Sequence, residues 1–257
     1  MHYLSEKWKE TLVFNGLDTP EKIWALKVEW FEEPNYRRGG WSGVSRIELN
    51  LPSGGIMGAF LKRQEDHFTK SLRHPFKGYL TFKKEFELIR QFEKANIPSL
   101  ETMLFDQWKD EGHHRAVILT VELAGYEPLD HGKFHTGGDC FSTDRQKQNV
   151  FNKLTSLIGL IHGAGFKHNC FYPKHVFVKN LPDDEVDLRV IDLERVKKSG
   201  KKKAEFRDLY TFFRHAGGWS DEDKLAFLKI YRKEEVLSRS SMELWDKIQD
   251  KIQKHRK

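Results

Sequence analysis

The stretch from Gly165 to Arg195 sets the tightest limits on how this chain can fold. It opens with a polar loop carrying His168, Asn169, Cys170 and His175, which runs into a short apolar strand, Val176 to Val178. A turn at Pro182, Asp183 and Asp184 follows. A second apolar strand, Leu188 to Ile191, then delivers Asp192, with Glu194 just beyond. Short apolar runs on either side of Pro/Asp punctuation predict two strands joined by a turn, with the polar loop at one end and the acid at the other.

The rest of the chain is large enough to build around such a hairpin. At 257 residues it can bury a full core, and a single two-lobed unit fits better than two independent domains. Hydrophobic residues make up 38% beside 32% charged, the balance of a soluble globular protein. No apolar run approaches the roughly 18 residues of a membrane span, and the Met1 to Lys7 start lacks a signal-peptide core, so the expected location is the cytoplasm. Two cysteines, Cys140 and Cys170, argue against a disulfide-stapled fold and offer no metal-finger spacing. The net charge is +6, and much of the basic excess lies in Arg195, Lys197, Lys198, Lys201, Lys202 and Lys203. Such a run predicts an anionic partner: nucleotide, nucleic acid or an acidic membrane surface, where each basic side chain contributes about 1 kcal/mol. The alternative is a solvated loop. Nucleic acid ranks last, because no ordered aromatic stacking platform accompanies the lysines.

Taken in order, Lys7 to Leu17 has weak periodicity, and Asp18-Thr19-Pro20-Glu21 reads as a helix start. A glycine turn over Gly39, Gly40, Ser42 and Gly43 leads into an alternating strand, and a second turn, Pro52 to Gly55, leads into the strand Ile56 to Lys62. Glycines without Cβ would let backbone N–H groups approach phosphate oxygens, with Arg37 and Arg38 adding positive charge; an ordinary turn is the competing reading. A polar, irregular stretch runs through Pro75 and Gly78. Phe82, Phe86, Ile89 and Phe92 then mark an amphipathic helix with Thr81 as its N-cap. Glu85, at the edge of its apolar face, could turn towards Lys62, with Glu87 as competitor; otherwise both acids pair with surface cations. Two strands follow, Thr102 to Trp108 and Arg115 to Val121, and Glu122 to Tyr126 forms a hinge. Helices are predicted over Arg145 to Ala164, Glu205 to His215, Asp221 to Lys233 and Ser240 to Lys254, with Phe206, Leu209, Phe212 and Phe213 in the core.

In this order the motifs resemble those of the lipopolysaccharide core kinases within the protein-kinase-like superfamily, more closely the InaA branch. The residues that carry the resemblance are Arg38 to Ser45, Phe60 to Gln64, Thr81-Phe82 with Glu85, Glu122 to Tyr126, His168 to His175 and Ile191 to Glu194. The resemblance implies an α+β, bilobal protein-kinase-like fold: a small antiparallel β-sheet lobe with one helix over residues 1–122, and a larger, mainly α-helical lobe over 123–257. It implies ATP and Mg²⁺ (or Mn²⁺) as cofactors, and a heptose or Kdo sugar of the lipopolysaccharide core as acceptor, at the cytoplasmic face of the inner membrane. The Lys197 to Lys203 patch would contact that anionic membrane. Lys62 would hold the α/β-phosphates and Glu85 would position it. Gly39, Gly40, Ser42, Gly43 and the Glu122 backbone would border the nucleotide. Asp192 would bind metal, and His175 the second metal or a phosphate.

The pattern departs from the superfamily's H-R-D-x-x-x-x-N loop at two places. His175 stands where Asn is expected, a poorer Mg²⁺ ligand. Cys170 stands where the catalytic Asp is expected, and a thiol is a weak substitute for a carboxylate that orients a hydroxyl. Three outcomes are open: His168 or Glu194 takes the orienting role; the protein binds nucleotide as a pseudokinase with a stress-response or scaffold role; or Glu194 joins Asp192 in holding metal for another transfer, such as nucleotidylation. Cys170 itself is either a reactive thiol or a small buried one.

Overall fold

The computed structural model describes residues 2–37, 39–71 and 74–255. Arg38, placed beside the glycine turn by the sequence, lies outside them. The chain divides into two compact units, one taking in the chain up to Gln91 with Leu100–Ala124, the other Phe92–Ser99 with Gly125 onward. The dividing point at the hinge falls two residues beyond the expected 122/123. Phe92–Ser99, the end of a helix and the segment after it, joins the second unit, where the Val190 N–H donates to the Pro98 carbonyl at 3.2 Å.

The first unit begins with β1 (His2–Leu4), α1 (Lys9–Phe14) and α2 (Pro20–Trp24), then β2 (Asn35–Arg37), β3 (Gly40–Asn50) and β4 (Ile56–Glu65). β5 (Phe68–Ser71) and β6 (His74–Leu80) form a hairpin of their own where an irregular stretch was expected. α3 (Thr81–Lys94), β7 (Thr102–Asp110) and β8 (His113–Val121) complete the unit. Six strands make one antiparallel sheet in the order β1-β7-β8-β4-β3-β2. Strict alternation along β3 and β4 sends Ile47, Leu49, Ala59 and Leu61 to a face that also buries Leu12, Leu17 and Ile23. The N-terminal segment, which showed only weak periodicity, is therefore part of the core. α2 begins within the predicted helix start, and the Thr19 hydroxyl caps it by accepting the Lys22 N–H. Against α3, Phe86 stacks on Phe105 with ring centroids 4.3 Å apart. Thr81 is inside α3 and not its cap. The buried Gln64 side chain, from β4, accepts the Phe82 N–H at 2.7 Å and donates to the His67 carbonyl at 2.9 Å.

The second unit contains β9 (Glu127–Pro128), α4 (Asp144–Gly163), β10 (Phe166–Lys167), β11 (Val176–Asn180), β12 (Val186–Val190), β13 (Lys197–Lys198), α5 (Lys201–His215), α6 (Asp221–Arg232) and α7 (Arg239–Lys254). β11 and β12 pair antiparallel from Val176↔Val190 to Asn180↔Val186, the hairpin the sequence predicted, and β9 adds a third strand. The core is aromatic: Phe151, Phe212, Trp219 and Phe227 contact one another, and the Trp219 indole donates to the Phe134 carbonyl at 3.0 Å. Leu209, Phe212 and Phe213 are buried as expected, but Phe206 is only half-buried, with the Lys251 ammonium 5.0 Å from its ring. Among the described residues no helix is long and apolar enough to cross a membrane.

Candidate functional site

In the first unit the central strand β4 places Lys62 on the face opposite Leu61 and Arg63. Its ammonium lies 2.5 Å from the Glu85 carboxylate on α3. Glu85 is 5% exposed, and Lys62 is the cation set against its buried carboxylate. The competitor Glu87 instead lies 3.9 Å from Lys83 on the surface. The glycines divide. Gly39, at φ +83, forms the β2–β3 turn, whereas Gly40, Ser42 and Gly43 belong to β3 and are not a loop. Gly43 has a packing cause: a Cβ there would lie 2.4 Å from the Trp30 ring. At the hinge the Glu122 carboxylate forms a two-pronged pair with the Arg46 guanidinium at 2.8 and 2.9 Å, lying so close over Gly58 that a Cβ would overlap it. The Glu122 N–H donates to the Gly58 carbonyl at 3.1 Å, and its carbonyl accepts the Ala124 N–H at 2.9 Å, so both backbone groups meet protein partners.

In the second unit the loop before β11 is held from beneath by Asp208. This carboxylate, 1% exposed on α5, accepts the N–H groups of His168 at 2.7 Å and Asn169 at 2.8 Å, and the His162 ring N–H at 3.1 Å. Two consecutive N–H groups can point at one carboxylate because Asn169 adopts φ +66, a conformation Asn tolerates. The Asn169 side chain donates to the Arg195 carbonyl at 2.7 Å, tying the loop to the segment after Asp192. His162 passes the network on: its other ring nitrogen lies 3.0 Å from the Tyr231 hydroxyl.

His168 is fully buried, its Nε2 3.0 Å from the Ile191 carbonyl. Burial pushes its pKa down to about 4, so the ring is neutral, donates from Nε2, and fixes the residue before Asp192. It cannot orient a substrate hydroxyl from there, which corrects one of the sequence expectations. Asp192 adopts φ +59, ψ +55, left-handed backbone that turns the chain sharply as β12 ends. His175 Nδ1 is 2.9 Å from the Cys170 carbonyl and 3.4 Å from the Asp192 carboxylate. A carbonyl only accepts, so Nδ1 carries the proton. The nitrogen facing Asp192 is thus a donor that orients the acid. It is not a metal ligand on that side, against the expectation for His175. Burial lowers the His175 pKa, keeping the ring neutral.

Cys170 is buried. Burial, and then the Asp192 charge, raise its thiol pKa, which removes the reactive-thiol reading. The Tyr172 hydroxyl hydrogen-bonds to it, and the Tyr172 ring meets those of His175 and His215 edge-on, at 5.1 and 4.4 Å. Among the described residues no three His, Cys, Asp or Glu side chains gather around one point. Asp192 still suits Mg²⁺, which is commonly held by one or two carboxylates with phosphate oxygens and water completing its shell.

The sequence model of the lipopolysaccharide kinase (Kdo/WaaP) family matches residues 21–231. The chain belongs to this family. Protein InaA of Escherichia coli (strain K12) is 30% identical over 172 residues, spanning 67% of this chain and 76% of InaA. A solved structure described as WaaP in complex with acyl carrier protein superposes with a TM-score of 0.69 at 23% identity, covering 99% of this chain and 98% of that one. The protein-kinase-like fold follows from this likeness. Lys62, Glu85 and Asp192 are the residues to which the sequence resemblance assigned phosphate, positioning and metal roles. Asp208 was missed. Its signal was an acid at helical spacing between buried Ala204 and Phe212, on the stripe that otherwise faces the core. Tyr172 and His162 carried no signal, because their partners lie far away in sequence.

The cations of the basic run are all exposed, but their side chains do not share one face. The Lys198 ammonium folds 3.5 Å over the Phe166 ring and donates to the Ala164 carbonyl at 3.3 Å, while Lys197 and Lys203 act on Lys167 together with Arg207.

Proposed function

We propose that this protein transfers the γ-phosphoryl group of ATP to a sugar hydroxyl of the lipopolysaccharide core, a heptose or Kdo, at the cytoplasmic face of the inner membrane. The observation that carries the reading is the pair of Lys62 with the buried Glu85, beside membership of a lipopolysaccharide kinase family. A carboxylate buried for one lysine holds that ammonium at a fixed point, which suits it to α- and β-phosphate oxygens. In the second unit Asp192 would hold Mg²⁺, which when bound would supply positive charge to offset that of the phosphates. His175 N–H and the His168 hold on Ile191 keep Asp192 aimed. Asp208 fixes the loop backbone. Cys170 contributes no base, so hydroxyl orientation falls to neighbours of its thiol, Tyr172 foremost. A loose transition state asks little of a base, and positioning supplies most of the rate.

One observation favours a second reading, a nucleotide-binding pseudokinase: the neutral, buried thiol at the position where a carboxylate is expected. Single-turnover assays with labelled ATP, Mg²⁺ or Mn²⁺ and deacylated lipopolysaccharide core separate the two. The expected result is transfer by the wild type. Absence of transfer in both the wild type and Cys170→Asp would sink the kinase reading, while ATP–Mg²⁺ stabilisation that vanishes in Asp192→Ala would keep the pseudokinase one.

A further inference from the structure

We infer that Lys167, Lys197, Lys203 and Arg207 form a binding site for a phosphomonoester carried by the acceptor, beside the loop that holds Cys170. The inference rests on the proposed function for the identity of the acceptor. Its geometry begins with the two-residue ladder of β10 and β13, which sets Lys167 directly opposite Lys197 and Phe166 opposite Lys198. Neighbours along a strand point to opposite faces, so Phe166 and Lys198 share one side, where they contact each other. Lys167 and Lys197 share the other. Like charges directly opposed in an antiparallel pair destabilise it.

Helix α5 adds to the imbalance. Lys203 and Arg207 stand four residues apart, one above the other on the same helical face, a second like-charged pair. Both bear on Lys167: burial lowers its pKa first, and the charges of Lys203, Lys197 and Arg207 lower it further. The acid that acts on Lys167 against them is Asp208, which is buried and already accepts three hydrogen bonds. Among the described residues no carboxylate forms an ion pair with any of the four cations.

Four cations so arranged call for an anion of high charge and several acceptors. A phosphomonoester, with a charge of about −1.5 to −2 and three acceptor oxygens, meets both demands. The position connects the site to the reaction. A guanidinium nitrogen of Arg207 reaches the Asn169 carbonyl at 3.5 Å, and with Arg195 its charge acts on Cys170 and Tyr172. An acceptor anchored there by its phosphate would bring a neighbouring hydroxyl to the loop, and the anchor would select acceptors that are already phosphorylated.

The test is isothermal titration calorimetry on the full chain at low salt. The probes are inorganic phosphate, deacylated lipopolysaccharide core, the same core after alkaline phosphatase, and phosphatidylethanolamine vesicles with and without phosphatidylglycerol. The wild type is expected to bind the untreated core about tenfold more tightly than the treated one, the loss expected from two exposed charge pairs. Inorganic phosphate is expected to compete, and Lys167→Gln/Lys197→Gln to bind both cores alike. That double variant removes repulsion, so in chloride it is expected to melt at or above the wild-type temperature, and phosphate to raise the melting temperature of the wild type alone. Equal affinity of the wild type for both cores would overturn the inference, as would an unchanged preference in the variant. A variant that loses only its binding to phosphatidylglycerol vesicles would also overturn it, by returning the cluster to a membrane surface. Binding needs no transfer. A chain that prefers the phosphorylated core and phosphorylates nothing would keep this site and refute only the kinase reading.

Discussion

Lowering the pH from 7 to 5 will destabilise the folded protein by about 2 kcal/mol through His168 alone. The ring is fully buried and donates from Nε2 to the Ile191 carbonyl, and Nδ1 is buried without a partner. Charging it would bury a cation that the nearby Asp208 charge offsets only in part, and burial therefore holds its pKa at about 4. In the unfolded chain the value is about 6.5. Because the folded value is the lower one, the stabilisation is complete above the unfolded pKa. It is lost as the pH falls towards the folded one, since only the unfolded chain takes up the proton in that window. Linkage over the two values gives about 0.2 kcal/mol lost by pH 7 and about 2 kcal/mol by pH 5. Equilibrium urea unfolding at both pH values, for the wild type and His168→Phe, isolates this share. His175 and His215, whose pKa values burial also lowers, contribute with the same sign to both proteins and cancel in the comparison. His168→Phe should be less stable at pH 7, having lost the bond to Ile191, yet fall less steeply towards pH 5. Equal losses in the two proteins would refute the reasoning.

Asp208→Asn should destabilise the protein by about 3 kcal/mol in urea unfolding, because the amide keeps one acceptor oxygen and turns an NH₂ towards buried donors. Gly43→Ala should cost about 1–3 kcal/mol by driving a methyl group into the Trp30 ring, read as a lower melting temperature; an unchanged value would mean that Trp30 moves aside freely. In the native protein a thiol reagent such as dithionitrobenzoate should modify Cys140, which is partly exposed, and leave Cys170 until the chain is unfolded; rapid reaction of both would contradict the burial of Cys170.

Features that depend on period and punctuation were legible in the sequence. The β11–β12 hairpin, the buried stripe of α3 and the start of α2 each follow from residues close in sequence, whose spacing determines their outcome. The Lys62–Glu85 contact was legible for a related reason: Glu85 lies at the edge of an apolar stripe that has to face the sheet. What escaped depends on partners distant along the chain. Gln64 caps α3 from a neighbouring strand, Trp30 explains Gly43, and Asp208 reaches back 40 residues to His168. The short β10–β13 ladder escaped too, because two residues carry no detectable alternation. Its opposed lysines looked like one continuous basic run.

The costs in this molecule lie where binding would use them. A buried acid and a buried ion pair seldom stabilise a fold better than apolar side chains of the same volume, because desolvation consumes much of the Coulombic gain. Yet Glu85 is buried for Lys62, and Asp208 for two backbone N–H groups. Asp192 adopts left-handed backbone, and Lys167 faces Lys197. At Cys170 the chemistry runs the other way: a neutral thiol spares the loop a second negative charge beside Asp192, whose charge already raises the thiol pKa. Arg195 and Arg207 act on the same thiol in the opposite sense, each with less effect than burial or the Asp192 charge. On the proposed reading Cys170 and the lysine cluster bear on one question, how an acceptor would be held, and a carboxylate at position 170 would oppose a phosphate bound by those lysines.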